Sequence, residues 1–340
     1  MKKVLIAILA FLALVVMVAA GAFYKVVMSP CVLLDGPESF SLYIPTGADF
    51  EQVKDSLYMN NILTRHKTFE WWASLRKYPD HVKPGHYLLK RKMSIYNLCG
   101  TLSSGLQAPV KVTFNNMRDV NMLAGRISQQ IEADSLSIAS FLNDDKHLSE
   151  LGFTRQTIPA MFLPNTYEMY WNCNAEQFAQ KMKKEYDRYW NAERLDKAQT
   201  LGLTPVQVST LASIVDKETN KTDEMARIAG VYMNRLKSGW LLQADPTLVF
   251  AVGDFSLKRV LNIHKEVESP YNTYKYPGLP PGPICIPSLA SINAVLNAEK
   301  HNYYYFCAKE DFSGYHVFAK TLTEHNRNAE RYQRALNKKN

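Results

Sequence analysis

The sequence predicts an α+β protein carried on one transmembrane helix, and three observations predict it. A charge-free apolar run opens the chain, a strand–helix–helix–strand pattern follows over residues 39–108, and amphipathic helices alternate with strand and loop segments over 109–340. The 340 residues are 46% hydrophobic, enough for two domains after a leader. With 21% charged residues the chain is not of the disordered class.

The leader comes first. Lys2 and Lys3 precede Val4 to Phe23, a stretch without one charge. Its length, at ~1.5 Å per residue, spans roughly 30 Å, the thickness of a bilayer core. Only Lys25 follows closely, before Asp35 and Glu38. By the positive-inside rule residues 1–3 are then cytoplasmic, 4–24 are the membrane anchor, and the bulk is extracytoplasmic. The alternative is a signal peptide cut after Ala20, but the run is longer than a usual signal core. Residues 25–38, with Pro30, Gly36 and Pro37, read as a connector. "MSPC" around Cys31 is not a lipobox.

The five cysteines are scattered without a CxxC, so a zinc site is not expected. His264, His301 and His316 have no ligand spacing, and no metal or other cofactor is expected. A Cys285–Cys307 disulfide stays open for an oxidising compartment. The net charge of +8 is spread along the chain rather than gathered in a patch, which excludes a nucleic-acid groove. It fits a mild preference for an anionic polymer or the membrane surface.

In residues 39–108, "FSLYIPTG" alternates as a strand, and "DFEQVKDSLYMNNIL" and "TFEWWASLRKY" have helical spacing. "VKPGHYLLKRKMS" is a turn and a strand with Tyr87 and Leu89 on one face, and "SIYNLCGTLSSGLQ" is a short helix ending at glycine. This plan resembles an enlarged LysM-like module; a purely structural domain is the alternative. In residues 109–340, "VKVTFNN" is a strand, and 118–151 are polar-rich helices. "AMFLPNTYEMYWN" is apolar and aromatic around a Pro-Asn turn, and "AEQFAQKMKKEYDRYWNAERLDKAQTLG" reads as one long amphipathic helix.

The informative helix is "LTPVQVSTLASIVDKETN". Thr204 is a good N-cap, Pro205 suits the first helical position, and Gln207 completes a capping box. At about 100° per residue, with Ile214 at zero, Leu211 falls near 60° and Glu218 near 40°, while Asp216 falls near 200°. Asp216 and Lys217 are therefore expected to face water or a partner, and Glu218 the interior or a cleft. Desolvation there raises a carboxyl pKa, which suits a general acid. The alternative is a structural glutamate paired with Arg227 or Arg235. Thr222 starts a further helix with Asp223 and Glu224 in its first turn, stopping near Gly239. Beyond it come "LLQADPTLVF", whose "DPTLVFAV" reads as cap, first helical residue and helix, and "SPYNTYKYPGLPPGPICIPS", a long ordered loop of amides and tyrosines. That composition suits sugars, and such loops commonly carry sites.

"SIVDKET", "QADPT", "YNTY", "GLPPGPI" and "EHN", in this order, resemble the membrane-anchored endolytic murein transglycosylases, the YceG-like or MltG family. The resemblance covers nearly the whole chain. It implies a lyase that cuts nascent peptidoglycan strands internally, between N-acetylmuramic acid and N-acetylglucosamine, leaving 1,6-anhydromuramic ends. The peptidoglycan synthases of the inner membrane are the implied partners. The family's catalytic glutamate lands on Glu218. Two positions depart from the family's usual residues, Asp216 where Glu is common and Asn165 where Asp is. Asp245 is read mainly as an N-cap, with direct chemistry as the alternative. Gln243, Asp245, Asn272, Thr273 and Tyr274 are expected along the glycan, with loop-bracing as the alternative for each. Pro280 and Gly282 are expected to shape the cleft wall. His325, with Asn326 beside it in the last helix, is either an ordinary histidine or a brace for the glutamate or the "YNTY" loop. The rival class is a membrane-tethered glycan-binding regulator without turnover; a lysozyme-like hydrolase is a third reading.

Overall fold

The computed structural model describes residues 2–339 apart from 35, 37 and 258, so Asp35 and Pro37 of the expected connector lie outside the described residues. The fold is mixed α/β with one apolar N-terminal helix and two-stranded sheets. It divides into two compact units, one of Met1–Val112 with Gln130–Glu132 and Glu168–Cys173, the other of the remaining residues.

The first unit begins with α1 (Lys2–Met28), the one described helix long and apolar enough to cross a membrane. Then come β1 (Ser39–Ile44), α2 (Phe50–Met59), α3 (His66–Leu75), β2 (Gly85–Lys90) and α4 (Ile95–Ser104). β1 and β2 pair antiparallel, with Ser39 opposite Lys90 and Ile44 opposite Gly85. Alternation sends Leu42 and Ile44 of β1, and Tyr87 and Leu89 of β2, into one core with Leu57, Phe69, Tyr78, Leu98 and Leu102. Asp49 and Gln52 form a capping box on α2, and Ser94 caps α4, which ends at Gly105 in the left-handed conformation. The expected connector is not a loose tether. α1 continues to Met28, Val27, Cys31 and Val32 are buried, and backbone bridges join Pro30 to Ser94 and Val32 to Leu63. Apolar side chains at 27, 31 and 32 gain more by burial than a hydrated linker would.

From residue 110 the chain forms β3 (Val110–Phe114), α5 (Val120–Ser128), α6 (Ser135–Leu142), α7 (Asp145–Glu150) and β4 (Asn165–Met169), which pairs with β3. The helix expected over residues 175–202 is two, α8 (Ala175–Tyr189) and α9 (Ala192–Leu201). Asn191 accepts a bond from the Arg194 amide, so a new N-cap interrupts the periodicity. Next are α10 (Pro205–Glu218), α11 (Thr222–Lys237), α12 (Asp245–Val252) and α13 (Leu289–Leu296). A hairpin of β5 (Tyr305–Ala308) and β6 (His316–Ala319) follows, then α14 (Leu322–Lys339).

α10 is the centre of the second unit. Its Thr204–Gln207 capping box and Pro205 are in place. All residues from Val208 to Asp216 are buried, and α9, α11, α12 and α13 pack on it. Over Val208 to Asp216 the helix is covered on every side and has no water face, which corrects the expectation for Asp216. Its carboxylate accepts from Ser288 Oγ at 2.5 Å and Asn116 Nδ2 at 3.0 Å. Ser288 is itself the N-cap of α13, so Asp216 ties two helices together. Lys217 is exposed, as expected.

Candidate active site

Glu218 is the last residue of α10, where the helix emerges from the core. It lines a cavity of about 470 Å³ with Tyr232 and Arg235 of α11, Gln243, Asp245, Tyr274, the hairpin residues Tyr305 to Ala308 and His316, and Leu322 and His325 of α14. A second cavity of about 510 Å³ shares Glu218 and Asp245 and is lined by Phe250, Phe255, Leu257 and Ile284, with Arg118, Lys217 and Arg259 among its cations. The two carboxyl groups thus stand where two open cavities adjoin.

Glu218 accepts a 2.5 Å bond from the Tyr232 hydroxyl. Burial pushes its carboxyl up to about 7; the Tyr232 bond opposes this, the Asp245 charge adds to it, and the Arg235 charge opposes it. Its place at a helix C-terminus also disfavours the anion. Neither arginine considered as a partner forms an ion pair with it. Arg227 binds Glu299 at 2.9 Å. Arg235 donates to the carbonyls of Tyr304 and Leu242 and lies against the rings of Tyr232 and Tyr305. It is a buried cation held by backbone and aromatic faces, which leaves its field directed at the cavity.

Asp245 is not the N-cap of α12. Ala244 occupies that position, Asp245 is the first helical residue, and Pro246 follows it. Its Oδ1 accepts from the Tyr274 hydroxyl at 2.5 Å, and burial together with this carboxylate holds the phenol well above its usual range. Each carboxyl at the junction is therefore met by one tyrosine hydroxyl. Gln243 reaches the cavity from a left-handed backbone (φ 47°), and its amide donates to the Thr273 carbonyl.

Asn272 and Thr273 do not line either cavity; both are buried. Asn272 Nδ2 donates to the carbonyls of Lys265 and Val267, and its Oδ1 accepts from the Tyr274 amide. The Thr273 hydroxyl accepts from the Ala244 amide and pairs with Thr247 Oγ1. Together they hold Tyr274 and the 243–245 turn in register, the bracing alternative. Pro280 and Gly282 are also buried away from both cavities. A Cβ on Gly282 would stand 2.0 Å from the Gln156 carbonyl oxygen, so only glycine admits this approach. His325 lines the cavity, stacks on Tyr305 and has a buried Nδ1 without a partner; burial, then Arg235, lowers its pKa. Asn326 is exposed and outside the cavity.

The sequence reading missed Tyr232 and the hairpin, and considered Arg235 only as an ion-pair partner of Glu218. His316 of β6 is held by Glu224, which accepts from its amide and pairs with its Nδ1, both at 3.0 Å. The Asp223-Glu224 pair read as a helix-dipole feature held the one available signal, a buried acid needing a partner. All five cysteines are free thiols, so the Cys285–Cys307 bridge is not formed.

The YceG-like family model matches residues 42–331. A curated relative, the endolytic murein transglycosylase of Bacillus subtilis strain 168, is 27% identical over 341 residues, covering 95% of this chain and 93% of that protein. The endolytic murein transglycosylase of Streptococcus pneumoniae strain D39 is also 27% identical, over 97% of this chain and 66% of its own length. Among solved structures, a YceG-like protein of Listeria monocytogenes superposes with a TM-score of 0.57 at 26% identity, covering 85% of this chain and 98% of that one.

Proposed function

The chain belongs to the YceG-like family, and from that premise we propose that it is a membrane-anchored endolytic murein transglycosylase with Glu218 as its catalytic acid. One observation carries the reading: a carboxyl with its pKa raised to about 7 stands at the junction of two open cavities. A chain end needs a pocket on one side of the acid, whereas a strand cut internally must continue on both.

Near neutral pH Glu218 is divided between its acid and its anion, which suits a group that gives a proton and then takes one back. The acid protonates the oxygen bridging N-acetylmuramic acid to N-acetylglucosamine while positive charge develops at C1. The carboxylate then accepts the proton of the C6 hydroxyl as that oxygen closes onto C1, giving the 1,6-anhydro end. No activated water is needed, and excluding water favours closure over hydrolysis. Tyr232 steadies the anionic form of Glu218. Asp245 and Tyr274, with Gln243, border the bound sugars.

In this reading α1 anchors the chain in the inner membrane with the N-terminus cytoplasmic. The strand–helix–helix–strand part of the first unit is a LysM-like module, and peptidoglycan synthases are the partners.

The test is mass spectrometry of purified glycan strands digested by the protein, wild type beside Glu218→Gln. We expect internal fragments with 1,6-anhydromuramic ends, reduced by about 10²–10⁴ in rate in the variant. Reducing muramic ends would instead assign a two-carboxylate hydrolase with Asp245 as partner. Binding without fragments from either protein would assign a tethered glycan-binding regulator.

A further inference from the structure

The end of α1 is built into the first unit. The Phe23 ring packs edge-on against Trp71 and Trp72 of α3, with centroids 6.1 and 5.6 Å away. Phe23 is also the last residue of the charge-free run, and Lys25 is the first charge after it. When α1 spans a bilayer, Phe23 lies at the edge of the hydrocarbon core. The interfacial layer beyond that edge is about 5–8 Å deep, and Trp71, in ring contact with Phe23, lies within about that distance of the edge.

The face of α3 at that depth has the chemistry of the interface. Trp71 is 48% exposed and Leu75, one turn on, 61% exposed. Residues 65–77 carry Arg65, Lys67, Arg76 and Lys77 against a single acid, Glu70, whose carboxylate accepts from Tyr58. The Arg76 guanidinium lies over the rings of Trp72 and Tyr96, which leaves its outer edge free of any carboxylate partner among the described residues. An exposed tryptophan beside apolar and cationic side chains is the pattern of a membrane-interface belt, the ring at the ester level and the cations reaching lipid phosphates.

We propose that the first unit docks on the bilayer through this face of α3, with Trp71 and Leu75 entering the interfacial layer at the C-terminal end of α1 and Lys67, Arg76 and Lys77 meeting lipid phosphates. The proposal rests on α1 crossing the membrane. It turns the anchor from a tether into a mount, which fixes the height and tilt of the first unit against the lipid.

The test uses the full chain reconstituted in phosphatidylethanolamine–phosphatidylglycerol vesicles whose acyl chains carry bromine either near the ester or at mid-chain. Tryptophan emission is compared for wild type, Trp71→Phe and, as a control, Trp190→Phe, whose indole is buried in the second unit. We expect ester-level bromine to quench more than mid-chain bromine. Most of that quenching should vanish in Trp71→Phe and persist in Trp190→Phe. Phe keeps an aromatic at a half-exposed position, and circular dichroism checks the fold. Alkaline extraction of the same vesicles reports whether α1 is inserted. Protein that resists extraction yet shows no quenching, or equal quenching in wild type and Trp71→Phe, overturns the docking while the anchor stands. Protein that washes out overturns the anchor and the docking with it.

Discussion

The two units solve the problem of burial differently. In the first, the core cluster is drawn from residues 27–102: β1 and β2 face their Leu42, Ile44, Tyr87 and Leu89 onto the helices between and beside them. Asp49 and Ser94 cap its helices. In the second, α10 is wrapped on all sides and carries Ser209, Thr210, Ser213 and Asp216 inside, and its end delivers Glu218 to a cavity. The first unit leaves the Tyr78 hydroxyl and His86 Nε2 buried without a hydrogen-bond partner. The second holds polar and ionisable groups in specific pairs, the buried Asp216 with Ser288 and Glu224 with His316, the half-buried Glu218 with Tyr232 and the exposed Asp245 with Tyr274. Such pairs cost desolvation but fix positions, which is what a site needs and a scaffold does not.

The largest effect expected from breaking this contrast is in the first unit. Leu57→Ala removes a fully buried side chain of its core and should cost about 2–5 kcal/mol. Denaturant unfolding should show the loss, with strand cleavage by the remaining folded protein unchanged. A loss below that of an exposed leucine such as Leu136 would deny the core role.

Glu218→Gln should do the opposite to stability. The folded carboxyl titrates near 7 against 4.5 when free, so the folded state holds an extra proton between those values. Wild-type stability from this group is whole below about 4.5 and is lost as pH rises through about 7. The variant, which cannot ionise, should therefore be more stable than wild type at pH 8 by about 1–3 kcal/mol and equal to it at pH 4. Thermal melts at the two pH values measure this; the same difference at both would show that Glu218 is not held protonated.

Asp216→Ala leaves the Ser288 hydroxyl and Asn116 amide without their acceptor and should cost about 1–3 kcal/mol, with little change in kcat. A kcat loss as large as that of Glu218→Gln, in folded protein, would move Asp216 into the chemistry. The smallest shift is expected from Tyr232→Phe. Losing the donated bond raises the Glu218 pKa further, so the fall of kcat/KM above about 7 should move upward by about one pH unit. An unmoved alkaline limb would assign that limb to another group.

Much of the site was legible because its signals are local. The Thr204 cap sets the phase of α10, and the phase puts Glu218 with Leu211 and Ile214. The same wheel failed for Asp216, since periodicity reports one buried stripe and cannot tell that a second layer covers the other side. The "YNTY" loop illustrates the same limit. Its composition marks it as a site, yet Asn272 and Thr273 turn inward and only Tyr274 reaches the cavity, because backbone amides and carbonyls of a long loop must first be satisfied.

By itself, then, the sequence determined the apolar N-terminal helix, the strand–helix–helix–strand plan, the start of α10 and the phase of Glu218 on it. Each depends on hydrophobic period, charge and capping within a few turns. Only the tertiary structure decided the company Glu218 keeps: Tyr232 and Arg235 from α11, Asp245 and Tyr274 from the loop, His316 and Tyr305 from the hairpin, and His325 from α14. A carboxyl's pKa follows from what surrounds it within several ångströms, and those neighbours lie up to 107 residues away along the chain, from Glu218 to His325.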